Sequence, residues 1–426
     1  MALKTTPFPD WLACPVCDEL HIRPHLLDGQ IALCKNCGNH IVGRNPHGLD
    51  LPFALSLAAL TAWITAILLP FIHVSFGGQN QTVSLPSAVT MLAEHSMTLL
   101  AAFVGLLLIM APLCSILCML YLLIFLNRNR KPPFYRFFLK AYSRTRFWDM
   151  TDVYLISILV VLVKAVHMAD ILLLYGFWAF CLQVLCIRLA FAALPPRDIW
   201  QVLITSSTLP RPLPGKRAME AGLVSCHICT LVHSISQKRC LLCSSPLHSR
   251  KPQSINRTLA LTLTAAILYF PANLYPIMIT VNMGEVISST ILGGVILLWE
   301  TGVYSVAIVV FFASVFIPLA KLIALSYLMG CVYAGRRIFP HDQTKLYKIV
   351  EVIGKWSMVD VFVVATLAAM VQMGPLATIE PGIAATAFAA MVVITLFAAE
   401  TFDPRKLWDR KPEEKHAHEP ERTGTS

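Results

Sequence analysis

Apolar stretches long enough to cross a membrane recur along this chain, separated by segments rich in polar and basic residues. A bilayer core about 30 Å thick needs roughly 20 consecutive apolar residues in a helix. Eight runs fit, at about 51–72, 98–126, 148–168, 171–194, 258–279, 303–328, 356–373 and 382–402. The third and fourth form a hairpin with a very short turn, and Pro112 interrupts the second. The pattern predicts an all-α polytopic membrane protein. Residues 1–48 are a polar module, 49–196 a first transmembrane domain, 197–255 a linker with a second polar module, 256–403 a second transmembrane domain and 404–426 a polar tail.

The chain repeats itself. Cys34 and Cys240 lie 206 residues apart, as do Pro70 and Pro276, and Pro112 and Pro318. Trp148 and Trp356, Asp152 and Asp360, Arg197 and Arg405, and Trp200 and Trp408 are each 208 apart. An even number of helices per half keeps both halves in one orientation, so the expected architecture is two parallel repeats of four helices.

Composition agrees: 56% of the 426 residues are hydrophobic and the mean hydropathy is +0.66. The net charge of +10 suggests nucleic acid until its distribution is seen. Seven basic residues fall in 127–147 and nine in 195–257, whereas 73–97 and 280–302 hold no Lys or Arg. The positive-inside rule therefore places the polar modules and both termini in the cytoplasm and accounts for the charge without nucleic acid.

Eight of thirteen cysteines form CxxC pairs. Cys14/Cys17 and Cys34/Cys37 are separated by 16 residues, and Cys226/Cys229 and Cys240/Cys243 by ten. Paired knuckles at this spacing in a reducing compartment read as two zinc ribbons, one zinc ion each, with four thiolates completing a tetrahedral site. A thioredoxin-type dithiol would be single and set in a βαβ pattern. His21, His25, His40 and His47 read as surface residues, and His227 and His248 as spare ligands. Cys114, Cys118, Cys181, Cys186 and Cys331 read as small packing residues.

Charged residues inside apolar runs are costly, about 2.5–3.5 kcal/mol each on insertion scales, and mark working cavities. Lys321 and Asp360 could pair across helices, with Ser357 and Thr395 supplying further hydrogen bonds; the plain alternative is a staple that fixes helix packing. The first half keeps Asp152 and adds Asp149, but has Ser115 where the second has Lys321, which points to the second half as the active one. Lys164 and His167 read as snorkelling residues. No GxxxxGK[ST], GxSxG or HExxH occurs, and an enzyme is not expected.

The phrases CPVC…CKNCG, CHIC…CLLC, FPANLYPIM, STILGGVILLWE, GKWSMVDVFVV and TFDPRKLWDR resemble the paraquat-inducible protein A family over nearly the whole chain, nearer its PqiA than its LetA branch. The resemblance implies a Gram-negative inner-membrane protein beside a periplasmic MCE-domain partner (PqiB-like) that forms a hydrophobic tunnel. It implies passage of phospholipids between that tunnel and the membrane, in support of envelope integrity. It also implies tetraspanin-like four-helix modules and a transport network at Lys321, Ser357, Asp360 and Thr395. Two other functions stay open: a zinc-ribbon adaptor that only anchors the partner, and a membrane redox enzyme.

Overall fold

The computed structural model describes residues 11–409 apart from 23, 25, 28, 44–47, 77–78, 95–97, 129, 166–169, 197–198, 201–214, 283–284, 303, 335–339 and 371–376. The first polar module is a small β structure: β1 (Trp11–Ala13), β2 (Leu20–Ile22), β3 (Ile31–Leu33) and β4 (His40–Gly43). There follow α1 (Asp50–Leu68), β5 (Ile72–Phe76), β6 (Gln79–Val83), α2 (Leu85–Glu94), α3 (Thr98–Asn127), α4 (Tyr135–Trp148), α5 (Thr151–Ala165), β7 (Asp170–Leu173) and α6 (Tyr175–Ala193). The second polar module holds β8 (Leu223–Ser225) and β9 (Val232–Ser234).

The remaining residues pass through the same succession. It comprises α7 (Ser254–Leu274), β10 (Met278–Asn282), β11 (Glu285–Ser289), α8 (Ile291–Glu300), α9 (residues 304–334), α10 (Pro340–Trp356), α11 (Val359–Met370), β12 (Ala377–Pro381) and α12 (Ile383–Thr401). Among the described residues, five helices are long and apolar enough to span a membrane: α1, α3, α6, α9 and α12. Of the other expected spans, α7 has 21 residues but carries Asn256, Arg257 and several threonines, and α5 and α11 are described over 15 and 12 residues.

The protein is mostly helical, not all-α as the sequence suggested. Each half closes its end away from the ribbons with a three-stranded antiparallel sheet, β6–β5–β7 and β11–β10–β12. The supposed short turn between the third and fourth spans thus contains a strand that pairs with β5, Ile72 facing Leu173. Apolar-run counting misses strands of four or five residues set between longer helical signals. The basic segment 127–147 is likewise helical over most of its length, because α4 is an amphipathic helix with Leu139 and Tyr142 buried.

Pro112 and Pro318 do not end their helices. Each follows a π-helical turn, at Leu106–Met110 and Phe312–Phe316. Proline removes one N–H and its ring clashes with the carbonyl four residues back, and a wider turn relieves both problems. Gly176 and Gly382, at the starts of α6 and α12, lie against the backbone that enters the sheet. A Cβ there would stand 2.6 Å from Pro70 O at Gly176 and collide with Pro276 O at Gly382, which only glycine tolerates.

The core runs through the middle of the molecule and joins the halves. Met150, Val153, Tyr154 and Ile158 of the α5 region pack with Met358, Val361 and Phe362 around α11. Tyr154 and Phe362 meet edge to face at 5.5 Å. Ser157 Oγ donates to Val359 O at 3.1 Å.

The ribbons are crossed. The second shares a core with the first half: Cys226, Cys229, Leu242 and Leu247 pack with Tyr142, Ile187, Phe191 and Trp200. The first shares its core with the second half: Leu12, Cys17, Ile41 and Val42 pack with Leu328, Met329, Tyr347, Phe402 and Trp408. Residues 404–409, expected in a polar tail, take part in this packing, and Trp408 Nε1 donates to Thr344 Oγ1 at 3.0 Å. Residues 410–426 lie outside the described residues.

Candidate functional site

All eight CxxC cysteines sit in matching knuckles. Asp18, Gly38, Thr230 and Ser244, each four residues after the first cysteine of a pair, have φ of 65°, 66°, 60° and 59°. Each donates its backbone N–H to that cysteine's carbonyl at 2.9 Å. Ser244 therefore fills the left-handed position that Gly38 fills in the first ribbon, at some conformational cost.

The four sulfurs of each set converge to within 4.8 Å of one another. Cys14–Cys37 and Cys17–Cys34 are 3.5 Å apart, and Cys226–Cys243 and Cys229–Cys240 are 3.5 and 3.4 Å apart. A tetrahedral zinc site with Zn–S bonds near 2.3 Å needs sulfur separations of about 3.8 Å, so both sets fit a metal of that kind with little adjustment.

Two histidines touch these sulfurs. His21 Nε2 lies 3.2 Å from Cys34 Sγ, and His233 Nε2 lies 3.2 Å from Cys240 Sγ. His21 is thus half-buried against a thiol and not a free surface residue. The ring that reaches the second cluster belongs to His233, and not to His227 or His248, the spare ligands beside four sufficient thiolates.

An ionic clasp ties the ribbons to the last helix. Arg250 bridges Asp18 of the first ribbon, at 2.9 Å, and Asp409. The backbone N–H of Lys251 donates to Asp403 Oδ2 at 2.9 Å, and its ammonium caps Glu400 O and Phe402 O. Burial draws the Lys251 ammonium below the ordinary lysine range, partly offset by the Asp403 charge. Burial would raise the Asp403 carboxyl, but Arg405 bonds to it at 3.0 Å and holds it below the usual range.

In the second half, Lys321 lies on α9 one turn past Pro318 and is only 2% exposed. Its Nζ donates to Thr395 Oγ1 on α12 at 2.9 Å and to Ser357 Oγ at 3.4 Å. Ser357 occupies the break between α10 and α11, and is fully buried. Three helical elements thus converge on one ammonium. Asp360 stands half-buried in the first turn of α11, three residues after Ser357, where the helix dipole favours a carboxylate.

The first half has its own ionic cluster, built differently. Arg188 on α6 donates to Asp152 Oδ1 at 2.7 Å, to Asp149 Oδ1 at 3.3 Å and to Asp149 O at 3.0 Å. Asp149 Oδ1 also accepts from Thr151 N and Oγ1, which holds the start of α5. Asp149 and Asp152, the possible first-half counterparts, therefore share one cation, an arginine that sequence reasoning passed over. An arginine inside the apolar run 171–194 was the available signal. Arg188 is 208 residues before Leu396, the neighbour of Thr395, so the cation sits on a different helix in each half. Ser115, at the position of Lys321, is buried, with its hydroxyl unpaired among the described residues.

Comparison with known proteins matches residues 49–204 and 255–411 to the sequence profile of the family described as "Paraquat-inducible protein A". The chain is 35% identical over 407 residues to the Intermembrane transport protein PqiA of Escherichia coli K12, covering 95% of this chain and 97% of that one. It is 27% identical to the Lipophilic envelope-spanning tunnel protein A of the same strain, over 95% of this chain and 92% of that one. A probable intermembrane transport protein of Haemophilus influenzae is also 27% identical, over 95% and 97% of the two chains. No solved structure matches.

Proposed function

The chain belongs to the paraquat-inducible protein A family, and on that footing we propose that it is the inner-membrane component of an intermembrane lipid transport system. It passes phospholipids between the inner membrane and a periplasmic MCE-domain partner. Both termini and both ribbons face the cytoplasm, the three-stranded sheets face the periplasm, and each ribbon holds one zinc ion. The helices form two parallel, tetraspanin-like modules. The names of the relatives, an intermembrane transport protein and an envelope-spanning tunnel protein, support the transport reading.

The observation that carries it is Lys321, an ammonium buried in a candidate span and met by the Ser357 and Thr395 hydroxyls. Placing a cation there is expensive, and a network of this kind suits transient contact with a polar lipid headgroup. The paired ionic cluster of the first half fits a fixed joint instead.

The test is Lys321→Ala in a strain that lacks the chromosomal copy and has an envelope-stress phenotype. Loss of complementation at unchanged protein level and partner binding is the expected result. Full complementation would overturn the role of the network. Tolerance there, combined with failure of ribbon cysteine variants, would favour the adaptor reading.

A further inference from the structure

We propose that each ribbon grips its metal with a fifth side chain: His21 in the first and His233 in the second donate an Nε2–H to the sulfur of the third cysteine, without ligating the metal. The proposal rests on reading the ribbons as metal sites.

The same arrangement arises twice on different loops. Each histidine comes four residues after the second cysteine, Cys17 to His21 and Cys229 to His233. Each sits at the centre of a strand, opposite Leu12 in the first ribbon and Val224 in the second. From the histidine to the third cysteine the chain then runs 13 residues in the first ribbon and 7 in the second. Despite this difference in loop length, both Nε2 atoms end 3.2 Å from the third sulfur, Cys34 or Cys240. Convergence on one sulfur from unequal loops argues for a required contact.

The chemistry explains the requirement. Four thiolates around a divalent ion leave an excess of two negative charges in a buried site, and charge on each sulfur invites protonation and loss. An N–H directed at a sulfur withdraws part of that charge and fixes its orientation. Four sulfurs converge within 4.8 Å of one another in each set, enough ligands for a tetrahedral shell without the ring.

The two ribbons differ in one respect. In the first, Glu19 Oε2 lies 3.5 Å from His21 Nε2 and 3.4 Å from Cys34 Sγ, so a carboxylate competes for the same proton and repels a thiolate. The matching position in the second ribbon is the buried Leu231. The first ribbon should therefore release its metal sooner.

The experiment uses the full-length protein in detergent, with zinc content, zinc release to a chromophoric chelator and the sulfur count from X-ray absorption. Expected are two zinc ions with four sulfurs each, and biphasic release. His21→Ala should speed the fast phase and His233→Ala the slow one, each roughly tenfold. Gln at either position, which keeps an N–H donor, should restore much of the lost rate difference, and Glu19→Gln should slow the fast phase. A shell of three sulfurs and one nitrogen, or release rates indifferent to Ala at both positions, would overturn the proposal while leaving the metal reading intact. Wild-type protein purified without metal and unable to take up zinc would overturn both.

Discussion

Arg188 Nη2 lies 2.7 Å from Asp152 Oδ1, and the pair joins α6 to α5 where the second half has Leu396 and Asp360. The same guanidinium reaches Asp149, whose side chain is fully buried and whose counterpart is Ser357. Arg188→Leu would strand Asp149 in a low-dielectric site and should destabilise the protein by about 3 kcal/mol, read as a lower melting temperature in detergent. Adding Asp149→Ser, which copies the second half at both positions, should recover most of the loss. A double variant no more stable than the single would show that the two residues are not coupled.

Thr395 gives Lys321 its shorter hydrogen bond, 2.9 Å against 3.4 Å from Ser357. Thr395→Val keeps the shape and removes the oxygen. A hydrogen bond to a charged group contributes roughly 1.5–3 kcal/mol. Transport activity should therefore fall at least tenfold, whereas Thr395→Ser should stay within a few-fold of wild type. Equal activity for Val and Ser would mean that the oxygen has no part in the process.

Gly176→Ala and Gly382→Ala each push a methyl group into backbone oxygen at the sheet end of the bundle. Neither neighbour is a flexible side chain, so the strand that enters each sheet must shift. A cost of about 1–3 kcal/mol per site is expected, with faster proteolysis of the loops around β5–β7 or β10–β12. Ala variants as protease-resistant as wild type would show that this close approach does not constrain the fold.

Much of this was legible in the sequence because it rests on strong local signals. CxxC spacing located both four-cysteine clusters, and the offset of 206–208 residues pairs positions such as Pro112 and Pro318 that each follow a π-helical turn. Lys321, Ser357 and Thr395 stood out because polar groups are rare in apolar runs, and the structure brings the three together. The sheets were missed because strands such as β7 have only four residues and adjoin longer helical runs. The crossing of the ribbons was invisible for another reason. A repeat offset says which residues are equivalent, but not whether a module packs on its own half or the other. His233 was overlooked because a histidine four residues beyond a CxxC has no distinctive spacing until the strand that carries it is folded back.

Crossing makes the effect of losing either cysteine cluster specific. The first ribbon packs on Leu328 and Met329 of α9, seven and eight residues beyond Lys321, about two helical turns. It also packs on Tyr347 of α10 and on Trp408. A structural metal contributes folding free energy directly, so removing it should loosen whatever its ribbon covers. Cys14→Ser with Cys17→Ser should raise amide hydrogen exchange at least tenfold in α10 and at the end of α12, more than in α4. Cys240→Ser with Cys243→Ser should do the reverse, loosening α4 and the end of α6. Because the first ribbon shares its core with the helix that carries Lys321, its loss should also impair transport more than loss of the second. If each pair of substitutions instead loosened the helices that directly follow it in the chain, the crossed packing would be wrong.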